Sequence, residues 1–435
     1  MARPRHALTG AAAAAAFAAL AAAPGCGREP AAGALRFWAF GREGEVVKEL
    51  MPEFERRNPG LRVEVQQVPW TAAHEKLLTA FVGRQTPDIV QIGNTWIPEF
   101  VALDALEPLD PFLSRSPALA PGDYFPGIWD TNVLPGGVFG VPWYVDTRVL
   151  FYRGDLLREA GIAGPPRTWE EWRAALAALR ARGAPGSFAM LLPTDEWAQP
   201  VILGFQTGAE LLRDGGRHGA FRAPEFRRAA AFYVSLFREG FAPPLSNAQV
   251  SNVYQQFDGG DFKMWITGPW DVGNFRRYLA PARQEVWSTA PLPAPGPDAS
   301  APGLSLAGGS SLAVFRASRR KDDAWRLVEY LSAPEQQLRF YALSGDLPAR
   351  TAAWDAEVLR DDSKARAFAL QLRHVRPTPK VPEWESIAQR VAERFQEVLH
   401  GGVTLEAGLE ALDGDADQIL EKRRWLLDRR NAGAR

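Results

Sequence analysis

Residues 260–275 read GDFKMWITGPWDVGNF, and this stretch is typical of a strand that ends in a stiff turn. Residues 262–266 are a short apolar run that stops at a Gly-Pro pair, which predicts a buried strand followed by a turn. Pro269 presets its own φ and cannot extend a central strand, so the turn should hold Trp270 in a fixed position. A ring held in this way suits a binding surface, but it could equally pack into the core at the end of the strand.

The composition restricts the kind of protein that this chain can be. With 435 residues, the chain is long enough for two or three lobes, each with its own core. The 50 Lys and Arg residues balance 51 Asp and Glu residues, which argues against nucleic acid as a partner. The 15 Trp residues suggest a flat, partly polar ligand on which aromatic rings could stack.

The N-terminus has the pattern of a signal peptide. Basic residues at positions 3 and 5 precede an Ala-rich apolar run at 7–23, and small residues precede Cys26. This ending resembles a bacterial lipobox, in which Cys26 would be lipidated and become the first residue of the mature chain. We therefore expect a signal peptide at residues 1–25, a lipid-anchored tether at 26–34, and a location in the periplasm or on the outer face of the cell membrane. A single cysteine can form neither an intrachain disulfide nor a thiolate metal site.

Strands alternate with amphipathic helices in the first part of the mature chain. The predicted strands are residues 35–39, 61–65 and 86–92, and the predicted helices are residues 43–57 and 72–82. This alternation predicts an α/β lobe with a parallel sheet. Ligands of such open sheets bind beyond the carboxyl ends of the strands. Three loops should lie there, at residues 41–43, 68–70 and 93–96.

Several kinds of chemistry have no support in the sequence. The five His residues are far apart and form no metal-binding pair, so neither a metal nor another cofactor is expected. A nucleophile elbow and a phosphate-binding loop are also missing. What the loops and strand ends offer is carboxylates, amides and aromatic rings. The candidates are Glu43, Asn94, Trp96, Asp146, Asp195, Glu196, Trp197, Trp270 and Trp384.

This mixture of side chains suits sugars. Sugar hydroxyls bind charged or amide groups, and the C–H faces of sugar rings stack on flat aromatic rings. Both a glycoside hydrolase and a sugar-binding protein would use it. Taken singly, each acid could instead be a solvated surface group, and each Trp could be part of the core.

Nine short motifs in a fixed order narrow these possibilities. They are LRFW at 35–38, FERRNPG at 54–60, TPDIV at 86–90, GVPW at 140–143 with LFY at 150–152, PRTWEE at 166–171, FKMWITGPW at 262–270, GG at 308–309 with LAV at 312–314, DAW at 323–325 with EYL at 329–331, and GDLPAR at 345–350. This order resembles the extracellular solute-binding proteins of bacterial ABC importers, in the group that includes maltose- and trehalose-binding proteins. The resemblance covers nearly the whole mature chain.

The resemblance implies a two-lobed fold, the type II periplasmic-binding-protein fold, in which each lobe is a mixed sheet flanked by helices. The ligand would be gripped in the cleft between the lobes, and the chain would be a non-catalytic monomer that works with the permease subunits of an importer. Hinge crossings are implied near residues 145–147, 302–306 and 346–350. One lobe would comprise residues 35–145 and 305–346, and the other would comprise residues 147–303 and 348–435.

The resemblance also implies a set of ligand-binding residues. They are Arg42, Glu43, Asn94, Thr95, Trp96, Asp146, Glu196, Trp197, Trp270, Gly308, Gly309 and Trp384. Trp270 and Trp384, with Trp96, would stack on sugar rings, and the two glycines would allow close approach. Trp270 should then lie partly exposed on the cleft wall, whereas Trp265 should be packed. The chain lacks the Asp-Arg pair that maltose-binding members carry in the second loop, so the sugar need not be maltose.

Two alternatives to sugar capture stay open at this point. The same fold could bind a different polar solute such as glycerol-phosphate, for which Arg42, Arg148 and Arg350 would supply cations. Alternatively, the chain could be a secreted glycoside hydrolase. Such an enzyme needs two carboxylates about 5–9.5 Å apart, which Glu43, Asp146 and Glu196 could supply.

Overall fold

The computed structural model describes residues 33–297 and 300–433 of the chain. The predicted signal peptide and the predicted lipidation at Cys26 lie outside the described residues. Among the helices of the described part, none combines the length and the apolar character needed to cross a bilayer.

The strands are mostly short; ten of those described belong to two main sheets, and six form three two-stranded sheets. In the described residues they are β1 (Leu35–Phe40), β2 (Val63–Val68), β3 (Ile89–Gly93), β4 (Val133–Leu134), β5 (Gly137–Val138), β6 (Val141–Asp146), β7 (Val149–Arg153), β8 (Met190–Leu191), β9 (Leu212–Arg213), β10 (His218–Gly219), β11 (Met264–Thr267), β12 (Trp287–Ala290), β13 (Ser305–Leu306), β14 (Gly308–Val314), β15 (Leu347–Pro348) and β16 (Val375–Arg376).

Helices cover the faces of these sheets and form most of the C-terminal part. In the described residues they are α1 (Glu43–Val46), α2 (Met51–Arg57), α3 (Trp70–Val82), α4 (Ile97–Ala102), α5 (Asp110–Leu113), α6 (Pro126–Asp130), α7 (Gly154–Glu159), α8 (Trp169–Arg182), α9 (Ala198–Gln206), α10 (Pro224–Arg238), α11 (Val253–Gly259), α12 (Trp270–Tyr278), α13 (Lys321–Ser332), α14 (Pro334–Ser344), α15 (Glu357–Arg360), α16 (Ser363–Gln371), α17 (Trp384–Leu399), α18 (Leu405–Ile419) and α19 (Glu421–Gly433).

The first sheet has six strands in the order β15-β6-β14-β3-β1-β2. The three strands of the predicted α/β unit pair in parallel, with β1 between β2 and β3. Three further strands are added antiparallel, because β14 pairs with β3 and with β6, and β15 pairs with β6. The sheet is therefore mixed, as the resemblance implies, and the parallel pairing predicted for its first three strands is confirmed.

The second sheet has four strands in the order β12-β7-β11-β8. Its central strand β11 covers most of the apolar run in the opening stretch, and Trp265 on it is buried as predicted. The chain passes from the first sheet to the second in two residues, Thr147 and Arg148, between β6 and β7. The carboxyl end of β6 therefore lies where the two sheets approach each other.

One predicted helix is interrupted. Residues 43–57 were expected to form a single helix, but α1 ends at Val46 and a 3₁₀ turn at Val47–Glu49 precedes α2. Pro52 lies in the first turn of α2. Proline has no N–H to donate to the preceding turn, so it favours the start of a new helix over the interior of a longer one.

Candidate functional site

A cavity of about 530 Å³ opens between the two sheets. Its lining comes from the loops after β1, β2 and β3, from β6 and β14, and from the starts of helices that follow strands of the second sheet. The volume lies within the range of about 300–1,000 Å³ that is usual for small-molecule sites. Ten predicted residues line it, namely Arg42, Glu43, Asn94, Thr95, Trp96, Asp146, Trp197, Trp270, Gly308 and Gly309.

Other lining residues were not among the predicted ones. They are Trp70, Gly93, Tyr144, Arg148, Leu306, Ser310 and Asp346. A signal existed for Trp70, because it directly follows β2 in one of the three loops expected beyond the strand ends. No local pattern distinguishes Tyr144 or Asp346, which reach the cavity from β6 and from the segment between α14 and β15.

Aromatic rings form one wall of the cavity. Trp70 packs edge-to-face against Phe40 and Trp96, with ring centroids 5.1 and 5.7 Å apart, and remains 37% exposed. Glycines make room for both indoles. A Cβ on Gly41 would collide with the Trp70 ring, and a Cβ on Gly93 would lie 3.3 Å from the Trp96 ring.

Glu43 is held at the base of this wall by hydrogen bonds. The Tyr144 hydroxyl donates to Glu43 Oε1 over 2.9 Å, and the Trp70 indole N–H lies 3.2 Å from the same oxygen. Burial raises the pKa of Glu43, while these hydrogen bonds act in the opposite direction. Glu43 therefore presents a fixed acceptor to the cavity.

Arg148 and Trp270 form the opposite wall. The Arg148 guanidinium lies 4.6 Å from the centre of the Trp270 ring, in cation–π geometry. Its Nε is 3.5 Å from Asp146 Oδ1, and another guanidinium nitrogen is 3.6 Å from Glu196 Oε2. Both distances exceed those of charge-assisted hydrogen bonds, so the guanidinium N–H groups keep capacity for a ligand.

The Gly-Pro-Trp motif explains how Trp270 is aimed. The sequence predicted that a stiff turn carries Trp270, whereas Trp270 is the first residue of α12 and Pro269 directly precedes the helix. Its ring folds back over Gly268, where any Cβ would collide with the indole. Trp270 is half-buried and lies on the cavity wall. Its contact with a ligand stays a prediction.

Two predicted contacts need correction. Trp384 is fully buried and touches Trp197 edge-to-face at 5.6 Å, so it supports the wall from behind and cannot stack on a ligand. Glu196 is not among the residues that line the cavity; its carboxylate accepts hydrogen bonds from Gln199 and Asn247 and faces Arg148, so it contributes through Arg148.

The close approach at the paired glycines is made by another strand. Gly309 has φ +127°, and a Cβ there would collide with the Tyr144 carbonyl on β6. A Cβ on Gly308 would lie 3.1 Å from the Asp146 carbonyl oxygen. Both glycines therefore let β14 and β6 pack closely beside the cavity.

The buried position of Trp384 leads to a prediction. We expect Trp384→Phe to lower the free energy of unfolding by about 1–2 kcal/mol, because the smaller ring leaves part of a packed site empty. Ligand affinity should change less than threefold, since the ring does not reach the cavity. Urea unfolding and calorimetry measure the two effects. A tenfold loss of affinity without loss of stability would restore the stacking role.

Comparisons with known proteins agree with this architecture. The model of the family described as bacterial extracellular solute-binding protein matches residues 41–338. The structure of the sugar-binding protein MalE from Xanthomonas citri is similar, with 47% sequence identity, a TM-score of 0.86, and coverage of 91% of this chain and 99% of that one. The diacetylchitobiose binding protein DasA of Streptomyces coelicolor is 25% identical over 78% of this chain and 77% of its own. The sn-glycerol-3-phosphate-binding periplasmic protein UgpB of Salmonella typhimurium is 24% identical over 89% of this chain and 92% of its own.

Proposed function

Because the chain belongs to the bacterial extracellular solute-binding proteins, whose members are non-catalytic, we propose that it captures a di- or oligosaccharide in the interlobe cleft and delivers it to the permease of an ABC importer. The family membership removes the glycoside hydrolase alternative. The similarity to a sugar-binding protein over nearly the whole chain supports a sugar as cargo.

One observation carries the choice of a sugar. Indole rings line both sides of the cavity, with Trp70 and Trp96 beside the first sheet and Trp197 and Trp270 beside the second. Between them lie carboxylates and the Asn94 amide, whose Nδ2 is buried without a hydrogen-bond partner. Rings for the C–H faces and polar groups for the hydroxyls are what a neutral carbohydrate needs.

The charges of the cavity argue against glycerol-phosphate. The positive charge of Arg148 is offset by Asp146 and Glu196, although its N–H groups can still donate to a ligand. Arg42 donates to the Leu343 carbonyl at the rim, and Arg350 lies elsewhere, bound to the Ser332 carbonyl and stacked over Tyr124. A phosphate would need several converging cations. The carboxylates that line the cavity would repel it, so a neutral ligand is favoured.

Delivery requires the two lobes to close on the ligand. We assign residues 35–145 and 305–346 to one lobe and residues 147–303 and 348–435 to the other. The short passage from β6 to β7 at residues 147–148 supports a hinge there. In this scheme the closed form is the state that the permease subunits recognise.

The family is extracellular or periplasmic, and the mature chain is placed outside the cytoplasm accordingly. We propose in addition that lipidation of Cys26 anchors it to the membrane near its permease. The signal-peptide pattern before Cys26 supports this anchor. Labelling of expressed cells with a radioactive fatty acid should mark the wild-type chain and leave Cys26→Ser unmarked.

The cargo is tested with purified mature protein. Mass spectrometry should find a retained sugar after native purification, and calorimetry with maltose, trehalose, diacetylchitobiose and sn-glycerol-3-phosphate should detect binding of a sugar only. Binding of sn-glycerol-3-phosphate with no response to the sugars would overturn the proposal.

A further inference from the structure

A directed chain of hydrogen bonds leads to Glu43. The Phe40 amide donates to Gln91 Oε1 over 2.7 Å, which fixes the orientation of the Gln91 side chain. Gln91 Nε2 must therefore donate, and it lies 2.9 Å from the Tyr144 hydroxyl. The Ser310 hydroxyl lies 3.0 Å from the same oxygen. With donors directed at it from two sides, the Tyr144 hydroxyl gives its own proton to Glu43.

This chain of hydrogen bonds favours the ionised form of Glu43 and opposes the burial that raises its pKa. Burial raises the pKa of Tyr144 well above its usual value, so the hydroxyl keeps its proton and remains a donor. The Trp70 N–H adds a second donor, 3.2 and 3.3 Å from the two carboxylate oxygens. Hydrogen bonds from such donors stabilise the charged form of a carboxylate.

A second acid, Asp346, lines the same cavity and is only 5% exposed. The charged or titratable groups that face it are Glu43, Asp146, Tyr144 and Arg42. Arg42 is the one cation among these four. Its guanidinium donates to the Leu343 carbonyl over 3.0 Å and lies 3.8 Å from Glu45 at the exposed rim.

Glu43 is half-buried and Asp346 is buried, and two carboxylates that line one cavity in this way do not both ionise readily without a contacting cation. Burial raises the pKa of Asp346 well above its ordinary value near 3.8, and the charge of Glu43 raises it further. Glu43 receives hydrogen bonds from Tyr144 and Trp70, whereas the Ser344 hydroxyl is the side-chain donor that favours the charged form of Asp346. Because Glu43 has more donors, the proton of the pair belongs on Asp346.

We propose that Glu43 and Asp346 form a one-proton acid pair in which Asp346 carries the proton and presents a hydrogen-bond donor to an oxygen of the sugar. Glu43 presents a hydrogen-bond acceptor in the same cavity. The pair therefore favours a ligand that has an acceptor oxygen at Asp346 and a donor hydroxyl at Glu43. The contact with a sugar rests on the proposed function, whereas the position of the proton does not.

The position of the proton is tested without ligand. The raised pKa of Asp346 means that the folded state holds a proton that the unfolded chain releases near pH 3.8. The stability from this group is complete below that pH and is lost as the pH rises through the folded-state pKa. Asp346→Asn cannot lose a proton, so its melting temperature relative to wild type should rise with pH, from just above the pH at which the unfolded chain releases its proton until the pH passes the folded-state pKa.

Asp361→Asn is the matched control, because Asp361 is an exposed acid that pairs with Arg360 at the surface. Its melting temperature relative to wild type should not vary with pH. A pH-independent difference for Asp346→Asn as well would show that Asp346 is ionised and would overturn the proposal.

The recognition role is tested by calorimetry with maltose and trehalose. Above the folded-state pKa of Asp346, the wild-type Kd should rise about tenfold per pH unit, because binding must first restore the proton. This rise should be absent in Asp346→Asn. A rise that persists in the variant would contradict the role. If maltose, trehalose and the sugar retained by the native protein all fail to bind at any pH, the proposed sugar function fails, while the melting experiment still decides where the proton lies.

Discussion

Trp270→Ala is expected to weaken sugar binding by about 30- to 150-fold, which corresponds to about 2–3 kcal/mol. Trp270 supplies the large flat ring beside the second sheet, and its face also supports the Arg148 guanidinium at 4.6 Å. Alanine would remove the stacking surface and the cation–π contact together. Calorimetry with the sugar that the native protein retains measures the loss.

The control for this variant is Trp425→Ala. Trp425 is 54% exposed on α19 and does not line the cavity, so the same substitution there should leave the affinity unchanged. Equal affinities for the two variants would show that the site is elsewhere, although the fold would stand. Circular dichroism spectra of both variants establish that each remains folded.

Arg148→Met is expected to lower the free energy of unfolding by about 3–5 kcal/mol. The Arg148 side chain is only 14% exposed and faces Asp146 and Glu196. Removing the guanidinium would leave these acids partly buried without their cation. Burial already raises the pKa of Asp146, and Arg148 opposes that rise. Urea unfolding at pH 7 measures the change.

A double variant separates charge from packing. Arg148→Met combined with Asp146→Asn removes one of the two acids that Arg148→Met leaves without a cation. The double variant should therefore recover part of the stability that Arg148→Met loses. A single variant that loses less than about 1 kcal/mol would mean that the ion pairs behave like surface pairs.

Local rules predicted much of the fold and some of the site. The strands and helices of residues 35–92 follow from hydrophobic periodicity, and Glu43, Asn94 and Trp96 follow from the rule that ligands bind beyond the carboxyl ends of strands. The mixed sheet could not be inferred from periodicity, because β6, β14 and β15 join it from distant parts of the chain. Only the family resemblance implied it.

Trp270 and Trp384 show where reasoning from local sequence ends. Each is the first residue of a helix, and each was expected to stack on the ligand. The packing of α17 buries Trp384 completely behind Trp197, whereas Trp270 folds over Gly268 onto the cavity wall. Helix propensity does not specify which side of a ring is covered, because that depends on neighbours far away in sequence.

The sequence by itself determined the alternation of strands and helices, the family, and the strand ends beyond which Glu43, Asn94 and Trp270 lie. These features depend on residues within one element or one turn, where backbone preferences and apolar spacing act. The tertiary structure alone decided that Asp346 lies in the same cavity as Glu43, and that Arg148 lies between Asp146, Glu196 and Trp270. Burial and charge interactions depend on distance in space, and the folded chain brings these groups together from segments remote in sequence.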